Sequence, residues 1–254
     1  MVMDHYSIEA RYLIHFFLYF SRIAAVMASP LFSGPANLPL TSRLMIIIGI
    51  TYLFASAVEV SAPMVHGLGD LAILIAIEVA NGIFLLLGIY VMIYAIELAG
   101  RLIDYQGGYS AASVFNPASK EQSSIFGTLL LYLFIYSFYA LDVHHEVFWA
   151  LKQTFVIFPV GESILSESVT SVVSHISRLT ILGVLISAPI CISLFLIDVV
   201  AGLIAKSMPQ INVYFLLLPV KLFVCLLMVF LSLENSVSLF GQLNTALLDF
   251  IVIE

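Results

Sequence analysis

Charge is scarce in this chain. Nine Lys and Arg and 16 Asp and Glu make up 10% of 254 residues, where a soluble globular chain carries about 25%. Most of the surface therefore cannot be an ordinary solvated one. The basic residues form no patch and the net charge is −7, so the electrostatic footprint of nucleic-acid binding is missing. The acids are scattered, which excludes an acidic interaction tail. The two cysteines, Cys191 and Cys225, lie inside apolar runs and read as small buried hydrophobes rather than a disulfide or metal pair. Catalytic signatures are lacking too. There is no phosphate-binding Gly-Lys-Ser/Thr loop and no Cys-x-x-Cys. Gly108-Tyr109-Ser110-Ala111-Ala112 lacks the closing Gly of a nucleophile elbow. In His144-His145-Glu146, the second histidine of a zincin helix is replaced by Trp149, so a loop or helix-cap role is expected. No enzyme, cofactor or metal is expected. Residues 1–11 mix Asp4 and Glu9 with Arg11, unlike a positive signal-peptide start, and read as part of a retained helix.

What is present is apolar: 62% of the residues are hydrophobic. Six blocks stand out, at Tyr12–Phe32, Leu44–Val60, Leu71–Ile103, Ile125–Leu141, Ile176–Ala205 and Ile211–Leu233. About 20 apolar residues cross a bilayer, and long runs without alternation are helices. The expected fold is all-α, with about six long apolar helices and short amphipathic ones. His145–Phe158 is one amphipathic candidate. Asn235–Ile253, with Leu239, Leu243, Leu247, Leu248, Phe250 and Ile251, is another, expected to lie on a surface or a partner.

The third block fits a plain bundle poorly. Continued to Gln106 it would reach about 54 Å as one helix, against a hydrocarbon core of about 30 Å. It must protrude, break near Gly82 or Gly88, or sit in protein. The positive-inside count is four against three with an outside N-terminus, which fixes no orientation. There is no clear internal repeat.

Ionisable residues inside apolar blocks are functional candidates by default. Asp198 and Lys221 are equidistant from a turn at Pro209-Gln210, so a hairpin would set them at one depth. They read as a neutralised pair fixing hairpin register or as part of a proton or ion relay. Lys206 is a rival partner. Glu97, Arg101 and Asp104 share one helical face and read as a network at a helix end. Glu78, with Asn81 one turn on, has no obvious partner in sequence and is the expected intersubunit contact.

Three segments, in order, resemble the FliR/SctT family of type III export-apparatus proteins. They are Phe20-Ser21-Arg22 with Pro30-Leu31-Phe32 and Pro39 to Arg43; Glu97-Leu98-Ala99-Gly100-Arg101 through Asp104-Tyr105-Gln106-Gly107-Gly108 to Ser123; and Pro209-Gln210-Ile211-Asn212 with Pro219-Val220-Lys221. The resemblance implies one copy per helical assembly with P/R-type and Q/S-type subunits, and contact with the large export-gate and autoprotease switch subunits. It implies a bacterial inner-membrane location, held largely at or above the periplasmic face. Residues 1–175 resemble the P/R-type subunit, and 176–254 resemble the hairpin and tail of the Q/S-type one. The assembly is the entrance pore for unfolded secreted substrates. The family's plug falls on residues 106–122, that is Gln106, Gly107, Gly108, Tyr109, Ser110, Ala111, Ala112, Ser113, Val114, Phe115, Asn116 and Pro117, continuing to Gln122. Small residues there allow close packing, and Phe115 supplies an apolar obstruction. The wording of 112–117 and 120–122 is closer to the injectisome branch than to the flagellar one, although His144-His145 leans the other way. The alternative function is a small proton- or ion-coupled transporter built on Asp198, Lys221 and Glu78.

Overall fold

The computed structural model describes residues 2–33, 39–57, 67–109, 124–164, 169–208, 210 and 212–252. Eight helices are found among them: α1 (Val2–Val26), α2 (Pro30–Ser33), α3 (Leu40–Ala57), α4 (Leu68–Gly107), α5 (Ile125–Ala140), α6 (Val143–Ile157), α7 (Val169–Ser207) and α8 (Val213–Val252). The described residues contain no strand. The fold is all-α, as the long runs without alternation require. Among the described residues, three helices are long and apolar enough to cross a membrane. The count rises to four if α5 and α6, bent by 75° at their junction, act as one span. The apolar stretches Tyr12–Val26 of α1 and Leu40–Ser56 of α3 are shorter.

One set of alternatives is narrowed and one expectation is corrected. The third apolar block does not break: α4 is a single helix of 40 residues, about 60 Å long at 1.5 Å per residue. Its glycines serve close approach instead. A Cβ on Gly82 would lie 2.6 Å from Ala25 Cβ and 2.7 Å from the Arg22 carbonyl, and the Phe250 ring fills the space beside Gly88. The expected surface helix after Leu233 is also absent as a separate element. Residues 235–252 are the second half of α8, and Phe240, Leu243, Leu247, Phe250 and Ile251 are buried in the chain. Those leucines recur because they pack inward, so the amphipathic pattern marks a core face. Pro189 and Pro219 lie inside α7 and α8, each removing one ladder hydrogen bond without ending its helix.

The chain divides into two compact units. The first holds residues 1–90, 142–176 and 247–254. Leu18, Tyr19, Ile23, Leu31, Leu85 and Phe155 are among its buried apolar side chains. Tyr19 packs on Phe155 with ring centres 4.6 Å apart, and Phe84 stacks on Phe250 at 5.2 Å. The second unit holds residues 91–141 and 177–246. Phe134 and Phe240 meet edge to face at 5.4 Å in its interior. There α4 and α5 approach so closely that a Cβ on Gly100 would overlap the backbone of Gly127.

Much apolar surface stays open. Met45, Tyr52 and Leu53 of α3, Leu203 of α7, and Phe215, Phe223 and Phe230 of α8 are all at least 63% exposed. Isolated exposed hydrophobes are ordinary, but faces of this extent belong against lipid or other subunits.

The glycine geometry makes a paired prediction for the chain in detergent. Gly100→Ala forces α4 from α5 and lowers the unfolding temperature. Gly241→Ala, where nothing lies within 4 Å of the added carbon, raises stability by about 0.5–1 kcal/mol through helix propensity. Thermal unfolding followed by circular dichroism checks both signs.

Candidate functional site

Two polar clusters interrupt the apolar interior, one in each unit. In the first unit, α1 carries Arg22 into the core, where it is fully buried. Its Nε donates to Glu78 Oε2 at 2.6 Å and its Nη2 to Oε1 at 3.1 Å. Nη1 donates to the carbonyls of Thr154 and Phe158 at 3.1 and 3.2 Å, and Nη2 also reaches Phe158 at 3.2 Å. The Phe155 ring lies 4.2 Å from the guanidinium carbon, a cation–π contact. Glu78 Oε1 accepts a further bond from the Gly161 amide at 2.9 Å. Asn81 completes the arrangement. Its amide nitrogen donates to Glu162 O at 2.8 Å and its oxygen accepts from Ile164 N at 3.0 Å. Two α4 side chains three residues apart, hence on one face, therefore hold the segment after α6.

This overturns the expected intersubunit contact. Glu78 and Asn81 are both 0% exposed, and their partners lie inside the chain, so no surface is left for another subunit. Sequence reasoning missed Arg22, because 56 residues separate it from Glu78 and no periodicity links two helices. One signal was available: an apolar run with a lone Arg is complementary to one whose Glu78 has no basic residue within a turn of it.

The second cluster joins three helices. Asp198 of α7 and Lys221 of α8 form an ion pair, and exposed Lys206 is not part of it. Gln106, in the last turn of α4, donates from Nε2 to Asp198 Oδ2 at 3.0 Å. Its own carbonyl accepts from Lys221 Nζ at 3.4 Å. The expected network of Glu97, Arg101 and Asp104 splits. Arg101 pairs with Glu97 at 3.3 Å on an exposed face. Asp104 is buried, and its Oδ1 accepts from the Phe126 amide at 3.2 Å. A carboxylate is better placed there, at the positive N-terminal end of α5, than beside an exposed Arg. Ser124 caps the same end, its Oγ accepting from Gly127 N at 2.7 Å.

Of the expected plug residues, Gln106 and Gly107 end α4. Gly108 has φ 81°, a left-handed value that suits glycine at a helix terminus. The Tyr109 amide closes the turn on Asp104 O at 3.0 Å. The Tyr109 ring meets Phe126 edge-on at 5.2 Å, and burial pushes its phenol above the ordinary value. Ser110 to Pro117, and on to 123, lie outside the described residues. So does Pro209 of the hairpin turn, while Gln210 and Asn212 are exposed between α7 and α8.

Asp142, His144 and His145 are the one group of potential metal ligands among the described residues, with ligand atoms within 4.8 Å of one another. Asp142 sits at the start of α6 with φ 57° and makes no side-chain cap bond. The positive end of a helix disfavours a cation there. Cys191 and Cys225 are free thiols.

The buried pair yields a double-mutant prediction. Arg22→Met strands Glu78 in the core and Glu78→Leu strands Arg22, each lowering stability by about 3–5 kcal/mol. The double variant recovers most of that loss, because no uncompensated charge is left. Folded yield in detergent for the four proteins checks it; additive losses would refute the pairing.

The model of the family described as "Bacterial export proteins, family 1" matches residues 13–247. The flagellar biosynthetic protein FliR of Bacillus subtilis (strain 168) is 28% identical over 237 residues, 88% of this chain and 90% of that protein. FliR of Caulobacter vibrioides is 24% identical over 234 residues, 91% and 93% of the two chains. The Yop proteins translocation protein T of Yersinia pestis is 28% identical over 154 residues, 59% of each. With one family model covering nearly its whole length, the chain belongs to the bacterial export proteins, family 1, the FliR/SctT family.

Proposed function

We propose that this chain is a non-enzymatic, single-copy component of a type III protein-export apparatus in the bacterial inner membrane. With P/R-type and Q/S-type partners it forms the entrance pore for unfolded export substrates. The observation that carries the reading is the family match over residues 13–247, made by a chain whose long helices leave broad apolar faces open. Those faces are subunit interfaces in this reading, and the large export-gate and autoprotease switch subunits are further partners. Residues 1–175 take the place of a P/R-type subunit, and 176–254 that of a Q/S-type hairpin and tail. Much of the chain then sits at or above the periplasmic face. That location removes the puzzle of α4, whose 40 residues exceed a bilayer core of about 30 Å.

Residues 106–122 are the pore plug in this proposal. They leave α4 at Gln106 and lead to the cap of α5 at Ser124. The wording of 112–117 and 120–122 favours the injectisome branch, while the flagellar relatives align over more of the chain. The transporter alternative is weaker. Asp198 and Lys221 are held to each other and to Gln106, and Glu78 is enclosed by Arg22, so none of the three is free to bind an ion.

Affinity purification of the tagged chain from its own membranes is expected to bring down two further small membrane proteins in unequal copy number. A stable lone monomer would sink the reading. Deleting residues 108–118, or substituting Phe115→Gly, is expected to make the assembled complex leaky to small ions in a planar bilayer. Unchanged conductance would refute the plug while leaving membership of the apparatus intact.

A further inference from the structure

The C-terminal end of α4 has an unusual electrostatic arrangement. A helix C-terminus presents unpaired carbonyls and a partial negative charge, which a basic residue in the last turn commonly offsets. The last turn of α4 contains none. It holds Asp104 instead, whose carboxylate is engaged with the start of α5. The missing cation comes from another helix: Lys221 of α8 places its Nζ 3.4 Å from the Gln106 carbonyl. Lys221 is nearly buried, with 10% of its side chain exposed. The same ammonium is neutralised by Asp198 of α7, which in turn accepts from the Gln106 amide. Gln106 is thus held twice, by its side chain and by its backbone. The next residue is seated as well. A Cβ on Gly107 would lie 3.0 Å from the Tyr109 ring and 3.7 Å from the Sγ of Cys225, one turn along α8 from Lys221.

We propose that Gln106 is a positioning residue, clamped by the Asp198–Lys221 pair so that the end of α4 is fixed on the α7–α8 hairpin while the pore is closed. The proposal rests on the pore reading above and adds how the closed state is held. Sequence symmetry about the turn explains why Asp198 and Lys221 meet, but a register pair alone has no need of a third member on α4. The clamp gives the pair a second task. Its two bonds involve charged partners, the stronger kind of hydrogen bond. They can be broken without unfolding a helix, because only one side-chain amide and one already terminal carbonyl are released.

The test uses the assembled complex in planar bilayers, with assembly yield measured in parallel. Gln106→Leu keeps the size of the side chain and removes its amide. It is expected to raise ion flux about tenfold at unchanged assembly, the scale set by losing one hydrogen bond to a charged group. Gln106→Asn, one methylene shorter, is expected to leak less but in the same direction, and serves if the leucine variant fails to assemble. The exchange Asp198→Lys with Lys221→Asp rebuilds the ion pair but sets a carboxylate against the Gln106 carbonyl. Under the proposal assembly recovers while flux stays raised. Return of flux to the wild-type level would overturn the clamp and leave only a register role. Deletion of residues 108–118 is the reference. If it leaks while both Gln106 variants stay tight, the clamp is wrong and the pore reading stands. If the deletion itself is tight, the plug reading falls and the clamp with it, while membership of the apparatus stands.

Discussion

A charged group inside an apolar helix is tolerated only when its partner is inside as well. The rest of this structure is arranged around that constraint. Arg22 is the extreme case: its donors and one face of its guanidinium are taken up by Glu78, two backbone carbonyls and an aromatic ring. Removing two such ions from water is expensive, and their mutual attraction repays it only when the geometry is good and the remaining lone pairs and protons are satisfied. Backbone groups from 154 to 161 supply that satisfaction. The pair therefore does more than join α1 to α4. It also fixes the chain after α6 as far as Ile164, with Asn81 adding two bonds to Glu162 and Ile164.

The second unit applies the same rule at the end of a helix. Two charges near Gly107 serve helix termini. Asp104 stands at the positive end of α5, and Lys221 stands at the negative end of α4. Around them, small residues set the spacing. Gly100 and Gly127 let α4 and α5 touch backbone to backbone, and Gly183 lets α7 reach Ala95. Close approach through small residues is how helices gain contact where solvent offers no hydrophobic drive. Apolar faces left uncovered by this packing belong to lipid and to other subunits.

Legibility in the sequence followed the range of the interaction. Helix content was readable because an apolar run without alternation has one solution in lipid or in a dry assembly. The α7–α8 pairing was readable because a tight turn converts distance from the turn into depth, so Asp198 and Lys221 fell opposite each other. Arg22 with Glu78 was not readable in this way, since nothing short of packing brings α1 against α4. Asp104 was assigned to the wrong partner because the (i, i+3) rule sees only its own helix, while the amide that claims it belongs to α5. The tail of α8 was misjudged for a related reason. An amphipathic pattern shows that one face is buried without showing against what.

By itself, the sequence determined that this is an all-helical chain too apolar for water, without a phosphate-binding loop, Cys-x-x-Cys pair, nucleophile elbow or zincin helix, and with three ordered segments of one export family. These properties depend on composition, period and local order, which need no partner to be expressed. Only the tertiary structure decided that α4 runs unbroken, that Gly82 and Gly88 are contact points rather than breaks, and that Glu78 faces inward. It also decided that Gln106 belongs to the charge pair of the α7–α8 hairpin. Each of these depends on which helices meet, a question settled by the packing of side chains far apart in the chain.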